Sequence, residues 1–155
     1  MSYKIDYEES ISSVVPRLRQ EHKEIHRKLD RISKILNRKN GDLKLAVSLL
    51  KSVRPEVLRH AVEEEARLAR VIIESGKEQK RTSDVERSLD VLQEHRRIKE
   101  FLDDELPFLL DENSEKEARK KIIEFTDLMI KHHREEEKEL FPLALNASQT
   151  SSPKS

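Results

Sequence analysis

The sequence predicts an all-α protein, an up-down-up-down antiparallel four-helix bundle, and three observations lead there. Charged residues make up 40% of the 155 residues and hydrophobic ones 35%, the balance expected of long amphipathic helices with solvated outer faces. Only two Gly and five Pro punctuate the chain, so helical signals run long. Strand signals are missing, with neither Gly-rich turns nor alternating aromatic and β-branched runs.

The first helix is expected over about residues 8–37, where Val15, Leu18, Ile25, Leu29, Ile32 and Leu36 recur at helical spacing and Asn40-Gly41 ends the pattern. The second covers about 42–75, with Gly76 as its stop. Pro55 lies inside it and should break or kink it, leaving a short piece over 42–53 ahead of the main helix. The third covers about 83–111, opened by Thr82-Ser83-Asp84 with Glu86 placed as capping-box partner of Ser83, and Pro107 kinks its last turn. The fourth covers about 114–145, where Ser114 and Glu117 form another S-x-x-E start and Pro142 marks a bend or an early end. One bundle domain is thus expected over residues 1–145, and the tail 146–155, NASQTSSPKS, is expected to be disordered because Ala147 is its only apolar residue. Short connections between consecutive helices favour antiparallel neighbours.

Charge and composition exclude several function classes. Lys plus Arg and Asp plus Glu number 31 each, so no net field would gather nucleic acid or an anionic membrane surface, and neither is expected as a partner. No apolar stretch approaches the ~20 residues of a bilayer helix. The start, MSYKIDYEES, has neither the basic region nor the apolar core of a signal peptide, which implies a cytoplasmic protein. With zero Cys, any metal must be held by imidazole and carboxylate.

An internal repeat carries the chemistry. Gln20-Glu21-His22 recurs as Gln93-Glu94-His95, and the run from His60 to Glu65 recurs from His132 to Glu137, at offsets of 73 and 72 residues. Each half supplies one His and then one His-x-x-x-Glu. His60 and Glu64 share a helical face with Val57, Leu68 and Val71, and His132 and Glu136 share one with Phe125, Leu128, Met129, Leu140 and Leu143. His22 lies on the stripe of Leu18, Ile25 and Leu29, and His95 on that of Val91, Leu92, Ile98 and Leu102. Four imidazoles and two carboxylates thus point at one bundle axis, where ionised carboxylates are costly unless paired or coordinating. A pair of divalent cations bridged by Glu64 and Glu136 resolves that cost. The nitrogen and oxygen donors suit iron or manganese, and zinc could take the same place. Open coordination positions would admit dioxygen, peroxide or nitric oxide.

From about residue 17 to 145 the chain resembles the hemerythrin-like, or HHE cation-binding, domains. Their pattern of His, His-x-x-x-Glu, His, His-x-x-x-Glu is met here together with the contexts Glu21-His22 to Ile25 and Glu94-His95 to Ile98. The ending His-x-x-x-Glu-Glu-x-x-Leu-Phe-Pro is met from His132 to Pro142. The resemblance implies a hemerythrin-like bundle with a non-haem di-iron centre, two irons joined by an oxo or hydroxo bridge. It places terminal ligands at His22, His60, His95 and His132, and bridging carboxylates at Glu64 and Glu136. It implies a protein that binds or senses dioxygen or a related small ligand, or handles iron. The alternative it offers is a redox enzyme acting on nitric oxide or peroxide, or in iron–sulfur cluster repair.

Two further histidines are candidates beside this set. Oxygen-carrying hemerythrins have a fifth His one turn before the third-helix ligand, where this chain has Val91, which moves the implied role away from simple oxygen transport. His26, one turn after His22, is a candidate additional ligand, with Lys99 at the matching place in the other half. His133 and Glu137 have the same spacing as His132 and Glu136, but the repeat sets His132 opposite His60. That makes His133 a flanking residue packed behind the ligands.

Overall fold

In the computed structural model, which describes residues 4–38, 41–78 and 82–150, every regular element is helical, and the described residues contain no strand. Four long rods form. Helix α1 spans Ile11–Asn37. Helix α2 (Leu43–Glu63) continues through a π-helical segment, Glu64–Ala69, into α3 (Arg70–Glu78). Helix α4 (Thr82–Glu100) continues through a second π segment, Phe101–Glu105, and a 3-10 turn, Leu106–Phe108, into α5 (Leu109–Glu112). Helix α6 (Glu115–Glu135) continues through a third π segment, Glu136–Leu140, into α7 (Phe141–Thr150). Rod one packs on α2 and on α6 and α7, while α4 packs on α3 and α6.

Local chemistry explains most of the boundaries. The Asp42 side chain accepts from Leu45 N at 3.0 Å, and Ser114 accepts from Glu117 N at 3.1 Å, so each caps the helix it precedes. Gly41 follows the first rod because a Cβ there would stand 2.0 Å from the Ile35 carbonyl oxygen. Around Pro107 the third rod leaves α-helical geometry, a departure that its missing N–H and fixed φ favour.

Other boundaries differ from expectation. Helix α1 begins at Ile11, with extended Ser10 as its cap, rather than near residue 8. Pro55 does not divide the second rod, and Leu50, Val53 and Val57 pack into the core on both sides of it. Helix α3 runs on to Glu78, so buried Gly76 is no stop. Ser83 lies inside α4, which begins no later than Thr82, so the expected capping box is not what starts it. The fourth rod passes through Pro142 to Thr150, five residues beyond the expected end at 145, because Ala144 and Ala147 continue its buried face. Residues 151–155 of the expected tail, and Asn40, lie outside the described residues.

The core comes in two parts. One cluster holds Ile25, Leu29, Ile98, Phe125 and Met129, and the other holds Leu18, Leu68, Leu140 and Phe141. In α1 the change from one to the other falls between Leu18 and Ile25, and His22 is the buried residue between them. In the fourth rod it falls between Met129 and Leu140, with His132 and Glu136 between. A polar layer is thereby held between two apolar ones, each buried Leu, Ile or Phe contributing roughly 1.5–3 kcal/mol.

Candidate metal centre

His22, His60, Glu64, His95, His132 and Glu136 all occupy that layer, and none is more than 4% exposed. All four rods contribute, the second and the fourth with two residues each. His22 lies on α1, His60 at the end of α2, His95 on α4 and His132 near the end of α6, and the two glutamates open the π segments. Residues four apart advance about 40° around an α-helix, so a long run at that spacing leaves a single face. The wide π turns absorb this drift. His60, Glu64, Leu68 and Ile72 are all buried, as are His132, Glu136, Leu140 and Ala144.

The two carboxylates join the imidazoles into two sets. Glu64 Oε2 lies 3.1 Å from His60 Nε2 and 3.3 Å from His22 Nε2, while its Oε1 lies 3.2 Å from His95 Nε2. Glu136 Oε1 lies 3.2 Å from His22 Nε2, and its Oε2 lies 3.0 Å from His95 Nε2 and 3.1 Å from His132 Nε2. Each carboxylate therefore turns one oxygen to His22 and the other to His95. Two groups, each with its donor atoms all within 4.8 Å of one another, could hold a metal ion: His22, His60, His133 and Glu136, and Glu64, His95, His132 and Glu136.

Several polar atoms of this layer lack partners that a metal ion could supply. Nε2 of His22, His60 and His132, both oxygens of Glu64 and Oε1 of Glu136 are buried without a hydrogen bond. Orphaned polar atoms of this kind cost about 1–3 kcal/mol each. Here they converge, and all are donors that a divalent cation accepts.

Carboxylates behind the imidazoles set which nitrogen faces inward. Nδ1 of His60 donates to Glu21 at 2.8 Å, and Nδ1 of His132 donates to Glu94 at 3.0 Å. Nδ1 of His95 donates to Glu65 at 3.1 Å, and Glu137 Oε2 stands 3.5 Å from Nδ1 of His22. The four contacts obey the repeat. Glu21 and Glu94 precede the EH histidines, and Glu65 and Glu137 end the glutamate triplets. With Nδ1 protonated toward a carboxylate, Nε2 keeps its lone pair for a metal. Sequence reasoning passed over these four glutamates, although the repeated Gln-Glu-His and Glu-Glu-Glu runs carried the signal.

Burial and charge compete throughout the layer. Burial alone would lower the imidazoles, yet the glutamates outweigh it, raising His60 to about 10 and His132 to about 9. His22 and His95 are raised as well, chiefly against burial by Glu136 and Glu64. Burial pushes Glu64 up, but His60, His22 and His95 hold it well below the usual carboxylate range. Glu136 is lowered too, His132 and His22 overcoming burial and the charge of Glu64. Protons on the imidazoles thus balance the carboxylates where cations otherwise would.

The remaining two histidines behave differently. His133 is buried in the same layer, its ring parallel to that of His22 with centroids 3.8 Å apart. His26 is half-buried, and its Nε2 lies 2.8 Å from Nδ1 of His133. It belongs to neither donor group. Burial and the charge of His22 lower both, His133 strongly.

Beyond the layer, a groove of about 680 Å³ between α2 and α4 is lined by Leu58, Val62, Glu65, Leu92 and His95. No described helix is long and apolar enough to cross a membrane. A scan of family models matches none to this chain, and searches of curated proteins and of solved structures give no match either.

Proposed function

We propose that this chain is a hemerythrin-like up-down-up-down bundle whose buried layer holds a non-haem di-iron centre that binds or senses dioxygen or a related small ligand. The observation that carries the reading is the position of Glu64 and Glu136, each with one oxygen beside His22 and the other beside His95. Carboxylates so placed would hold a pair of cations with no oxygen left unpaired. His22 and His60 would serve one ion, His95 and His132 the other.

Iron is the metal we favour, because imidazole and carboxylate donors without thiolate suit it and manganese better than soft metals. When bound, it supplies a change between ferrous and ferric states and coordination positions open to a diatomic ligand. The chain does the rest. Glu21, Glu65 and Glu94 orient the imidazoles, and the apolar clusters on both sides exclude bulk water. The groove that reaches His95 gives a small molecule an approach from the α2 and α4 side.

Charge supports a dinuclear filling. Four imidazoles stand raised in pKa, so two divalent ions can displace up to four protons with little change in the net charge of the layer. Anaerobic loading with ferrous iron followed by metal analysis tests the reading, with about two ions per chain expected. The reduced protein is then mixed in a stopped-flow instrument with dioxygen and, separately, with nitric oxide. One tightly held iron per chain, or fewer, refutes the di-iron centre. Loaded protein whose absorption changes with neither gas refutes the small-ligand role.

A further inference from the structure

His26 and His133 break the repeat that orders everything else in the layer. His26 aligns with Lys99 in the other half, and His133 with Ala61. Nothing in the duplicated pattern requires either imidazole, yet they meet at 2.8 Å, and His133 offers a donor atom to the group formed by His22, His60 and Glu136. We propose that His133 is a fifth imidazole ligand, serving the ion between His22 and His60, and that His26 is the positioning residue that fixes its tautomer. The proposal rests on the dinuclear reading above.

Proton placement sets the two roles. An imidazole ligates through an unprotonated nitrogen, so its proton must sit on the other one. Since Nδ1 of His133 meets Nε2 of His26, Nδ1–H donates there and Nε2 of His133 is left for the metal. That requires His26 to be neutral at Nε2. His26 therefore does for His133 what Glu21 does for His60 and Glu94 for His132, with an imidazole in place of a carboxylate. The outcome is a lopsided centre, with one more nitrogen on one ion than on its neighbour.

The test loads full-length protein and its variants with iron-57 and measures iron affinity, Mössbauer spectra and circular dichroism. Wild type should show two distinguishable quadrupole doublets. His133→Ala should keep its helical signal, lose affinity for one iron by about 10–100-fold and shift one doublet. Half-buried His26 permits milder changes. His26→Lys, the residue of the other half, offers no acceptor and should weaken the same iron, whereas His26→Gln presents an acceptor oxygen and should restore it. A folded His133→Ala protein that holds two irons at wild-type affinity with unchanged doublets overturns the ligand role. Equal behaviour of His26→Lys and wild type overturns the positioning role. Wild-type protein that takes up no iron overturns the dinuclear reading and this inference together, while loaded wild type with silent variants overturns this inference alone.

Discussion

Glu21 accepts a hydrogen bond from Nδ1 of His60 across 2.8 Å, and the same contact recurs between Glu94 and His132 at 3.0 Å. A carboxylate in that place fixes the ring and raises the basicity of Nε2. Glu21→Gln and Glu94→Gln should each weaken metal binding by about 10–100-fold with helical content unchanged. Chelator competition on the loaded proteins measures this. Wild-type affinity in both variants would remove the carboxylates from the account.

Glu136 is fully buried and touches both imidazole sets, whereas His132 belongs to one. On the dinuclear reading, Glu136→Ala should therefore remove both metal ions, and His132→Ala should chiefly weaken one. Metal analysis after dialysis against weak chelator separates the two results. A Glu136→Ala protein that retains a single tight ion would show that the carboxylate does not bridge.

In the metal-free protein, pH should act on the layer from both sides. His60 and His132 are raised from 6.5 to about 10 and about 9, so their stabilising contribution is complete below pH 6.5 and lost as pH climbs through those values. Glu21 is lowered from 4.5 to about 2, burial opposing and the charge of His60 prevailing. Its contribution is present above 4.5 and lost as pH falls toward 2. Metal competes with the same imidazole protons, so affinity should rise with pH and loading should release protons. Urea unfolding of metal-free protein across this range and calorimetry in two buffers of different ionisation heat check both. Higher metal-free stability at alkaline pH than near neutrality would contradict the assignment.

How much of this could be read from the chain depends on what was periodic. His60, Glu64, Leu68 and Ile72 follow at intervals of four, as do His132, Glu136, Leu140 and Ala144, and both runs are buried throughout. The repeat thus located the layer, although the π turns that keep those intervals on one face were not themselves written in any residue type. Single-residue punctuation was less reliable. Gly76, Pro55 and Pro142 all lie inside continuous helix, because packing of neighbours such as Val53, Val57 and Phe141 outweighs an intrinsic preference of about 1–3 kcal/mol. The contact between His26 and His133 was hidden for a different reason. The two residues are 107 positions apart, and a pairing that breaks the repeat cannot be inferred from the repeat.

Phe141 is the residue that closes the layer from the side of Leu18 and Leu68. It is wholly buried, its ring lies 5.3 Å from that of His22 at 18°, and Arg19 stands over it at 5.8 Å. Truncation should therefore cost in two ways. Phe141→Ala should lose about 3–5 kcal/mol of stability in the metal-free protein through the cavity it leaves. It should also hasten metal loss, since water gains access to the ion beside His22. Leu89→Ala is the contrasting case, since Leu89 is 46% exposed and the change should stay within about 0.5 kcal/mol. Denaturant unfolding gives the first quantity and chelator-driven release kinetics the second. If Phe141→Ala lost stability but released metal at the wild-type rate, the apolar cluster would be a support for the fold alone, and exclusion of water from the ion would have to come from the opposite cluster around Met129.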